Sequence, residues 1–159
     1  AHIRAAHEIM SRAGASGMIA GQTADVTAEN KDADPSLVRY IEEHKTADLI
    51  AAPVRAGLML ARAGDDILST FTVYATDLGI AFQILDDILD FEGDAVILGK
   101  STGKDIAQDK CSYVCVHGME AAKKELHRLT EEACAALAPY GEDAAFFRDL
   151  ALQLESRNN

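Results

Sequence analysis

Near its middle the chain reads Phe82-Gln83-Ile84-Leu85-Asp86-Asp87-Ile88-Leu89-Asp90. The surrounding residues, 75–91, are mostly apolar and contain no proline, which predicts one long buried helix. At about 100° per residue, the three aspartates fall with Gln83 inside an arc of about 100°. Gly79 lies in the same arc, where it is expected to leave space in front of it. The sequence therefore predicts a buried helix that carries one narrow acidic stripe.

The acidic stripe, which consists of Asp86, Asp87 and Asp90, suits a metal ion. Three carboxylates this close repel one another and resist burial, so a positive charge is expected in front of them. Hard divalent cations take oxygen ligands, and Mg²⁺ is often held by one or two carboxylates together with substrate phosphates. The alternative is an acidic face that meets water, because Asp-Asp-x-x-Asp is common on exposed helices. The apolar surroundings and the narrowness of the stripe favour the metal.

Length and composition bound the class of protein. The 159 residues suffice for one domain with its own core, and 48% of them are hydrophobic, which excludes a disordered chain. The net charge of −11 argues against nucleic acid and anionic membranes as partners. The three cysteines form no C-x-x-C pair and suit a reducing compartment. We find no apolar run of membrane-spanning length and no signal peptide, so we expect a cytoplasmic protein without a membrane anchor.

Helical periodicity runs through most of the chain. The predicted helices cover 1–13, 16–29, 36–44, 46–62, 67–91, 112–117, 119–137 and 143–156. Asp34 and Pro35 suit the start of the third helix, and Pro53 should kink the fourth. The segment 63–66 should be a turn, while 93–110 is rich in glycine and lysine and should be an irregular loop. The predicted fold class is all-α, a bundle of stacked helices.

Two lysine-bearing segments could hold phosphate groups. In His44-Lys45-Thr46, at a break between two predicted helices, a lysine and a hydroxyl stand side by side. The alternative is a solvated lysine beside a helix cap, which would be the favoured interpretation if this segment stood alone. The second segment, Gly99-Lys100-Ser101, follows the acidic helix, so Lys100 could reach a phosphate that the metal also holds.

The Gly-Lys-Ser sequence of the second segment is not a P-loop. A P-loop that ends there requires glycine at position 94, which is Asp94, and one that ends at Lys104 requires glycine at position 98, which is Leu98. A P-loop also follows a strand, whereas the preceding element is predicted to be a helix. The segment is therefore interpreted as a lysine-bearing loop, which on its own would be solvated.

Taken together, these residues resemble a known family. Phe82-Gln83-x-x-Asp86-Asp87-x-x-Asp90 is similar to the second aspartate-rich motif of the trans-isoprenyl diphosphate synthases, the group of farnesyl and geranylgeranyl diphosphate synthases. The other matching segments, in the family's order, are Gly21-Gln22 with Asp25, His44-Lys45-Thr46, Gly93-Asp94, Gly99-Lys100, and Asp105 with Lys110. The resemblance implies a helical bundle of the isoprenoid synthase type.

The resemblance also implies a set of site residues. Asp86, Asp87 and Asp90 would be the ligands of Mg²⁺ or their immediate support. The contacts to the substrate diphosphate would be Lys45, Thr46, Gln83, Lys100 and Lys110. Of these, Lys45 and Lys100 would act in catalysis.

The reaction that the resemblance implies is a prenyl transfer. An allylic diphosphate ionises to a carbocation, the double bond of isopentenyl diphosphate attacks this cation, and a proton is lost. Lysines and Mg²⁺ would stabilise the leaving diphosphate, while an apolar cavity would shelter the cation. The product would be a short-chain isoprenyl diphosphate, and the full-length protein is expected to be a homodimer.

The match to this family is incomplete. Its members are roughly twice as long and carry an earlier aspartate-rich motif and an arginine pair, and here Asp65-Asp66 lacks a third acid. Residues 1–159 are therefore expected to be the C-terminal half of a single domain, a partial bundle. Two alternatives are a non-catalytic regulatory or binding homologue and a class I terpene cyclase. The intact acidic stripe argues against the first, and the Lys-Thr pair and the Gly-Lys loop argue against the second.

Overall fold

The computed structural model describes residues 1–28, 34–98 and 112–157, with the backbone alone at 94–98. The elements in chain order are α1 (His2–Ala13), α2 (Met18–Ala28), α3 (Pro35–Ile41), a π-helix (Glu42–Ala47), α4 (Asp48–Leu60), α5 (Asp65–Leu98), α6 (Tyr113–His117), α7 (Met119–Ala136), a 3₁₀-helix (Ala138–Ala144) and α8 (Ala145–Glu155). We call Glu42–Ala47 the π segment. No strand occurs in these described ranges, which confirms the prediction of an all-α fold.

Helix α5 is the axis of the bundle. Helices α4, α6, α7 and α8 and the π segment all pack against it. Its first half forms an apolar cluster in which Tyr74 meets Leu137 at the end of α7, and its second half forms another in which Ile84 meets Leu129. These four side chains are at most 1% exposed. The acidic stripe lies on the same turns of α5 as this second cluster, so its position is set by a well-packed core.

Local signals at the helix ends are confirmed where the structure describes them. The Ser36 amide donates a hydrogen bond of 2.9 Å to the Asp34 side chain, and Pro35 is the first residue of α3. Helix α1 ends at Ala13, as predicted, and Gly14 follows it. Ser112 caps α6 by accepting a hydrogen bond from the Cys115 amide. These caps satisfy amides at helix starts that have no partner inside the helix.

The predicted ends of the central helix are wrong. Helix α5 begins at Asp65, so the predicted turn 63–66 is shorter, and acidic side chains occupy its first turn, where the helix dipole favours them. The helix also runs on to Leu98, through the first part of the loop predicted at 93–110. Glycine within a helix costs only about 1 kcal/mol, so Gly93 does not end it. The remainder of that predicted loop, 99–110, lies outside the described residues.

The predicted break at Lys45 is also wrong, because the chain stays helical there. The Asp48 amide bonds to the Glu43 carbonyl five residues earlier, which is the hydrogen-bond spacing of a π-helix. The π segment thus joins α3 to α4 without a gap, and α4 continues through Pro53 to Leu60. Single π turns inside helices often occur at functional sites.

Helix α5 has one further property that the sequence analysis did not anticipate. By length and composition, Asp65–Gly93 could cross a lipid bilayer. Half of its most apolar window is buried inside the bundle. A core helix that is mostly buried meets the same criteria, so they do not assign the helix to a membrane.

Candidate functional site

A chain of side-chain hydrogen bonds joins the π segment to the acidic stripe. The Thr46 hydroxyl donates to Gln83 Oε1 at 2.8 Å, and Gln83 Nε2 donates to Asp87 Oδ1 at 3.1 Å. The backbone amide of Tyr113, at the start of α6, donates to Asp87 Oδ2 at 2.9 Å. Three of the predicted site residues, Thr46, Gln83 and Asp87, are therefore in one connected network that spans three elements.

Two glycines let the π segment lie directly against its neighbouring helices. A methyl group added to Gly79 of α5 would lie 2.9 Å from Ala47 Cβ and closer still to Ala47 Cα. A methyl group added to Gly21 of α2 would lie 2.7 Å from the Lys45 Cα and nearer its amide nitrogen. The prediction that Gly79 leaves open space is therefore wrong, because the backbone of the π segment fills it. Both glycines serve close approach of two backbones.

Lys45 does not face the acidic stripe. Its ammonium donates to Asp25 Oδ2 of α2 at 2.5 Å, and both side chains are about one third exposed, at 32% and 31%. Asp25 had entered the sequence analysis only as a match to the family's pattern. Its position one helical turn after Gly21 is the sequence signal that could have paired it with the π segment.

The preceding residue, His44, is fixed by a network of charges. His44 Nδ1 lies 2.8 Å from Asp48 Oδ2, and Arg12 of α1 bonds to Asp48 Oδ1 at 2.5 Å and to Glu8 at 2.6 Å. Burial raises the pKa of Glu8, but hydrogen bonds from Arg55 and Arg12 outweigh this and hold the pKa below its usual value. His44, Lys45 and Thr46 thus reach three different partners on three helices, which fixes the orientation of the π segment.

The carboxylates of the acidic stripe have different surroundings. Burial raises the pKa of Asp87 to about 6, with a contribution from the charges of Asp90 and Asp86 and against the opposing hydrogen bonds from Tyr113 and Gln83. The Asp86 side chain is 39% exposed, with the Arg157 guanidinium 3.9 Å away. Burial raises the Asp86 pKa, while Arg157 opposes this shift. The side chain of Asp90 is exposed.

This geometry allows a test of whether the stripe suits Mg²⁺. In the described parts of the chain, no three His, Cys, Asp or Glu side chains form a ready-made metal cluster. Asp86 and Asp90 lie one helical turn apart and are open to solvent, which fits the one or two carboxylates that Mg²⁺ takes alongside substrate phosphates. Both oxygens of Asp87 already accept hydrogen bonds, which fits the supporting role that the resemblance also allowed.

Two predicted site residues, Lys100 and Lys110, lie outside the described residues. One unpredicted residue stands out at the start of the π segment. Glu42 is 2% exposed, and neither carboxyl oxygen has a hydrogen-bond partner within the described structure. Burial, together with the nearby Asp87, raises its pKa to about 8. Sequence reasoning had no signal for it, because glutamate is a helix former that is almost always exposed.

A groove lies further back along the same helix. It has a volume of about 440 Å³ and is lined by Arg55 of α4 and by α5 residues that include Leu68, Thr72 and Val73. We call it the α5 groove. Its apolar side chains are accessible, with Val73 50% exposed. At about 1.5 Å per residue, Val73 lies about 15 Å along α5 from Gln83. The groove is also lined by Asp65 and Asp77 of α5, so exposed apolar side chains form only part of its wall.

Comparisons with known proteins agree on one family. The profile of the polyprenyl synthetase family matches residues 2–139. The farnesyl diphosphate synthase of Bacillus subtilis (strain 168) is 40% identical over 131 residues, which are 82% of this chain and 44% of that protein. The farnesyl diphosphate synthase of Escherichia coli (strain K12) is 37% identical over 155 residues, or 95% of this chain and 52% of that protein. The chain thus spans about half the length of the curated relatives it matches.

The fold agrees with a solved structure of the same kind. The apo FPP/GFPP synthase from Zymomonas mobilis has a TM-score of 0.83 at 28% sequence identity, over 96% of this chain and 50% of that chain. The similarity therefore extends over nearly all of the bundle, including α5 and the π segment.

Proposed function

This chain belongs to the polyprenyl synthetase family, and we propose that it forms one wall of the active site of a trans-prenyltransferase. The reaction would condense isopentenyl diphosphate with an allylic diphosphate to give a short-chain isoprenyl diphosphate. The observation that carries this proposal is the hydrogen-bonded chain from Thr46 through Gln83 to Asp87. It joins the predicted diphosphate contacts to the predicted metal-binding helix.

Asp86 and Asp90 are the residues of this chain that would hold Mg²⁺, with Asp87 as their support. When bound, the metal supplies positive charge that stabilises the departing diphosphate. Asp87 would contribute by holding Gln83, whose amide then stays beside Thr46.

The π segment would bind the diphosphate directly. The Thr46 hydroxyl and the Lys45 ammonium are adjacent in sequence and would donate hydrogen bonds to phosphate oxygens as negative charge develops on the leaving group. The hydroxyl has one proton, so Thr46 would turn it from Gln83 to the phosphate. Since the neighbouring helices fix the π segment, little reorganisation is needed at the moment of reaction. Lys100 and Lys110 belong to this proposal through the family resemblance alone.

The α5 groove would take the hydrocarbon part of a substrate. Its apolar residues Leu68 and Val73 lie on the helix that carries the acidic stripe, about 27 Å and about 20 Å along it from Asp86. A substrate with a charged head and an apolar tail could therefore lie along α5. A homodimeric state and a cytoplasmic location, both expected from the sequence, are part of the same proposal.

The test is the substitution Asp86→Ala in the complete protein that contains this chain. We expect turnover to fall at least about 100-fold, because the leaving group loses electrostatic stabilisation. Lys100→Ala should cost less, since one charge is lost and the metal ligands remain. The matched control is Asp149→Ala, which removes an exposed aspartate on α8. Near-normal turnover of Asp86→Ala, or a larger loss in Lys100→Ala, would contradict these roles.

A further inference from the structure

The ion pair between Lys45 and Asp25 joins two rigid elements. The ammonium and the carboxylate are 2.5 Å apart, and they belong to the π segment and to α2. Gly21, one turn before Asp25, brings the α2 backbone into contact with the backbone of Lys45. The Asp25 carboxylate is therefore held in a fixed position relative to the root of the lysine side chain. Within the described residues, Asp25 is the one side chain that accepts from this ammonium.

The carboxylates of the acidic stripe compete with Asp25 for the ammonium of Lys45. Thr46, the next residue, reaches Gln83, one turn from the carboxylates of the acidic stripe. A flexible lysine without a partner would be drawn to those carboxylates and would neutralise charge that is needed for a cation. The carboxylate of Asp25 holds the ammonium on the α2 side of the π segment instead. An ammonium has three N–H donors, so two remain for phosphate oxygens while Asp25 keeps one.

The geometry points to Asp25 as a positioning residue for Lys45, which holds the ammonium away from the acidic stripe and ready for a diphosphate. This inference rests on the proposed function, because it takes a diphosphate as the ligand of Lys45. The competing explanation is an ordinary ion pair between two helices. Ion pairs that are this exposed contribute little to the free energy of unfolding. A purely structural role therefore predicts that losing the pair has almost no effect on diphosphate binding.

A double-mutant cycle tests the inference. Binding of inorganic diphosphate in the presence of Mg²⁺ is measured by calorimetry. The proteins compared are the complete protein that contains this chain and its variants Asp25→Asn, Lys45→Ala and the double variant. We expect Asp25→Asn to weaken binding about 10-fold when Lys45 is present, and to have no further effect in the Lys45→Ala background. Asp25→Glu, which keeps the carboxylate, should recover part of the affinity. The control Asp149→Asn should bind as the unaltered chain does.

Two results would overturn the inference. The first is an affinity of Asp25→Asn within about two-fold of the unaltered chain. The second is an equal loss with and without Lys45, which would mean that Asp25 acts on folding or on the ligand itself. Failure of the unaltered complete protein to bind diphosphate would remove the proposed function and this inference with it, and that outcome is seen without any variant. Binding by the unaltered chain with no effect of Asp25→Asn removes the inference alone.

Discussion

The two ends of the π segment differ in how their polar groups are satisfied. At its C-terminal end, Thr46 enters a chain of hydrogen bonds that runs through Gln83 to Asp87 and the amide of Tyr113. At its N-terminal end, Glu42 is fully buried and has no hydrogen-bond partner within the described structure. The two proposed ligand contacts within the π segment, Lys45 and Thr46, both lie at the satisfied end.

This difference explains why the pKa values of two nearby carboxyl groups, Asp87 and Glu42, are raised to different degrees. Burial raises the pKa of both, but Tyr113 and Gln83 donate hydrogen bonds that favour the charged form of Asp87, whose pKa is about 6. Glu42 is also buried but receives no such bond, and its pKa is about 8. Partners, and not burial alone, thus determine which carboxylate can be charged at neutral pH.

The largest expected effect concerns Glu42 and pH. Its pKa rises from 4.5 in the unfolded chain to about 8 in the native state, so between these pH values the native protein holds a proton that the unfolded chain has lost. The free energy of unfolding should therefore fall as pH rises through this window. At about 1.4 kcal/mol per unit of pKa shift, the total loss is on the order of 5 kcal/mol. Urea denaturation at several pH values measures it.

The variant Glu42→Gln should remove most of this slope, because glutamine does not titrate. The window from about pH 7 to 8 is the most informative, since Asp87 and Asp77, whose raised pKa values are about 6, have lost most of their protons there. The matched control is Glu43→Gln, which alters a carboxylate that is 42% exposed and paired with Arg39. It should keep the slope. Identical pH dependence in all three proteins would show that Glu42 is not a buried neutral acid.

The second prediction tests the close packing of α5 against the C-terminal end of the π segment, where Gly79 meets Ala47. The variant Gly79→Ala would force a methyl group into the Cα of Ala47 and push the π segment away from α5. We expect a loss of roughly 3 kcal/mol in the free energy of unfolding. The control is Gly57→Ala in α4, because a methyl group there has no atom within 4 Å. Since alanine favours a helix over glycine, the control should gain about 0.5–1 kcal/mol. Equal effects of both variants in denaturation would contradict the close fit.

The sequence was sufficient to predict the central helix and its acidic stripe. Apolar residues with helical period surround Asp86, Asp87 and Asp90, and this pattern is local. The pairing of Thr46 with Gln83 could be expected only from the family resemblance, since the two residues are far apart in the chain. Three of the predicted residues, Thr46, Gln83 and Asp87, lie together in the structure.

The errors have nonlocal causes. Helix-forming residues continue through Lys45, and nothing local shows that Gly21 and Gly79 draw the π segment against two other helices. Gly79 was expected to leave space because the sequence does not tell which element packs onto it. Glu42 escaped notice for the same reason, since its burial comes from the helices around it and not from its neighbours in the chain. Tertiary packing therefore set the features that periodicity missed.

The smallest expected effect concerns the hydrogen bond that links the two groups of site residues. The variant Thr46→Val keeps the shape of the side chain and removes the donor to Gln83 Oε1. Because both side chains are only partly buried, water can replace the lost partner, and we expect a loss of about 1 kcal/mol in the free energy of unfolding. The effect on diphosphate affinity should be larger, since valine also cannot donate to a phosphate oxygen. The control is Thr23→Val, whose exposed hydroxyl bonds only to a carbonyl of its own helix. If Thr46→Val lowered stability and left diphosphate affinity at the level of this control, Thr46 would support the fold and not the ligand.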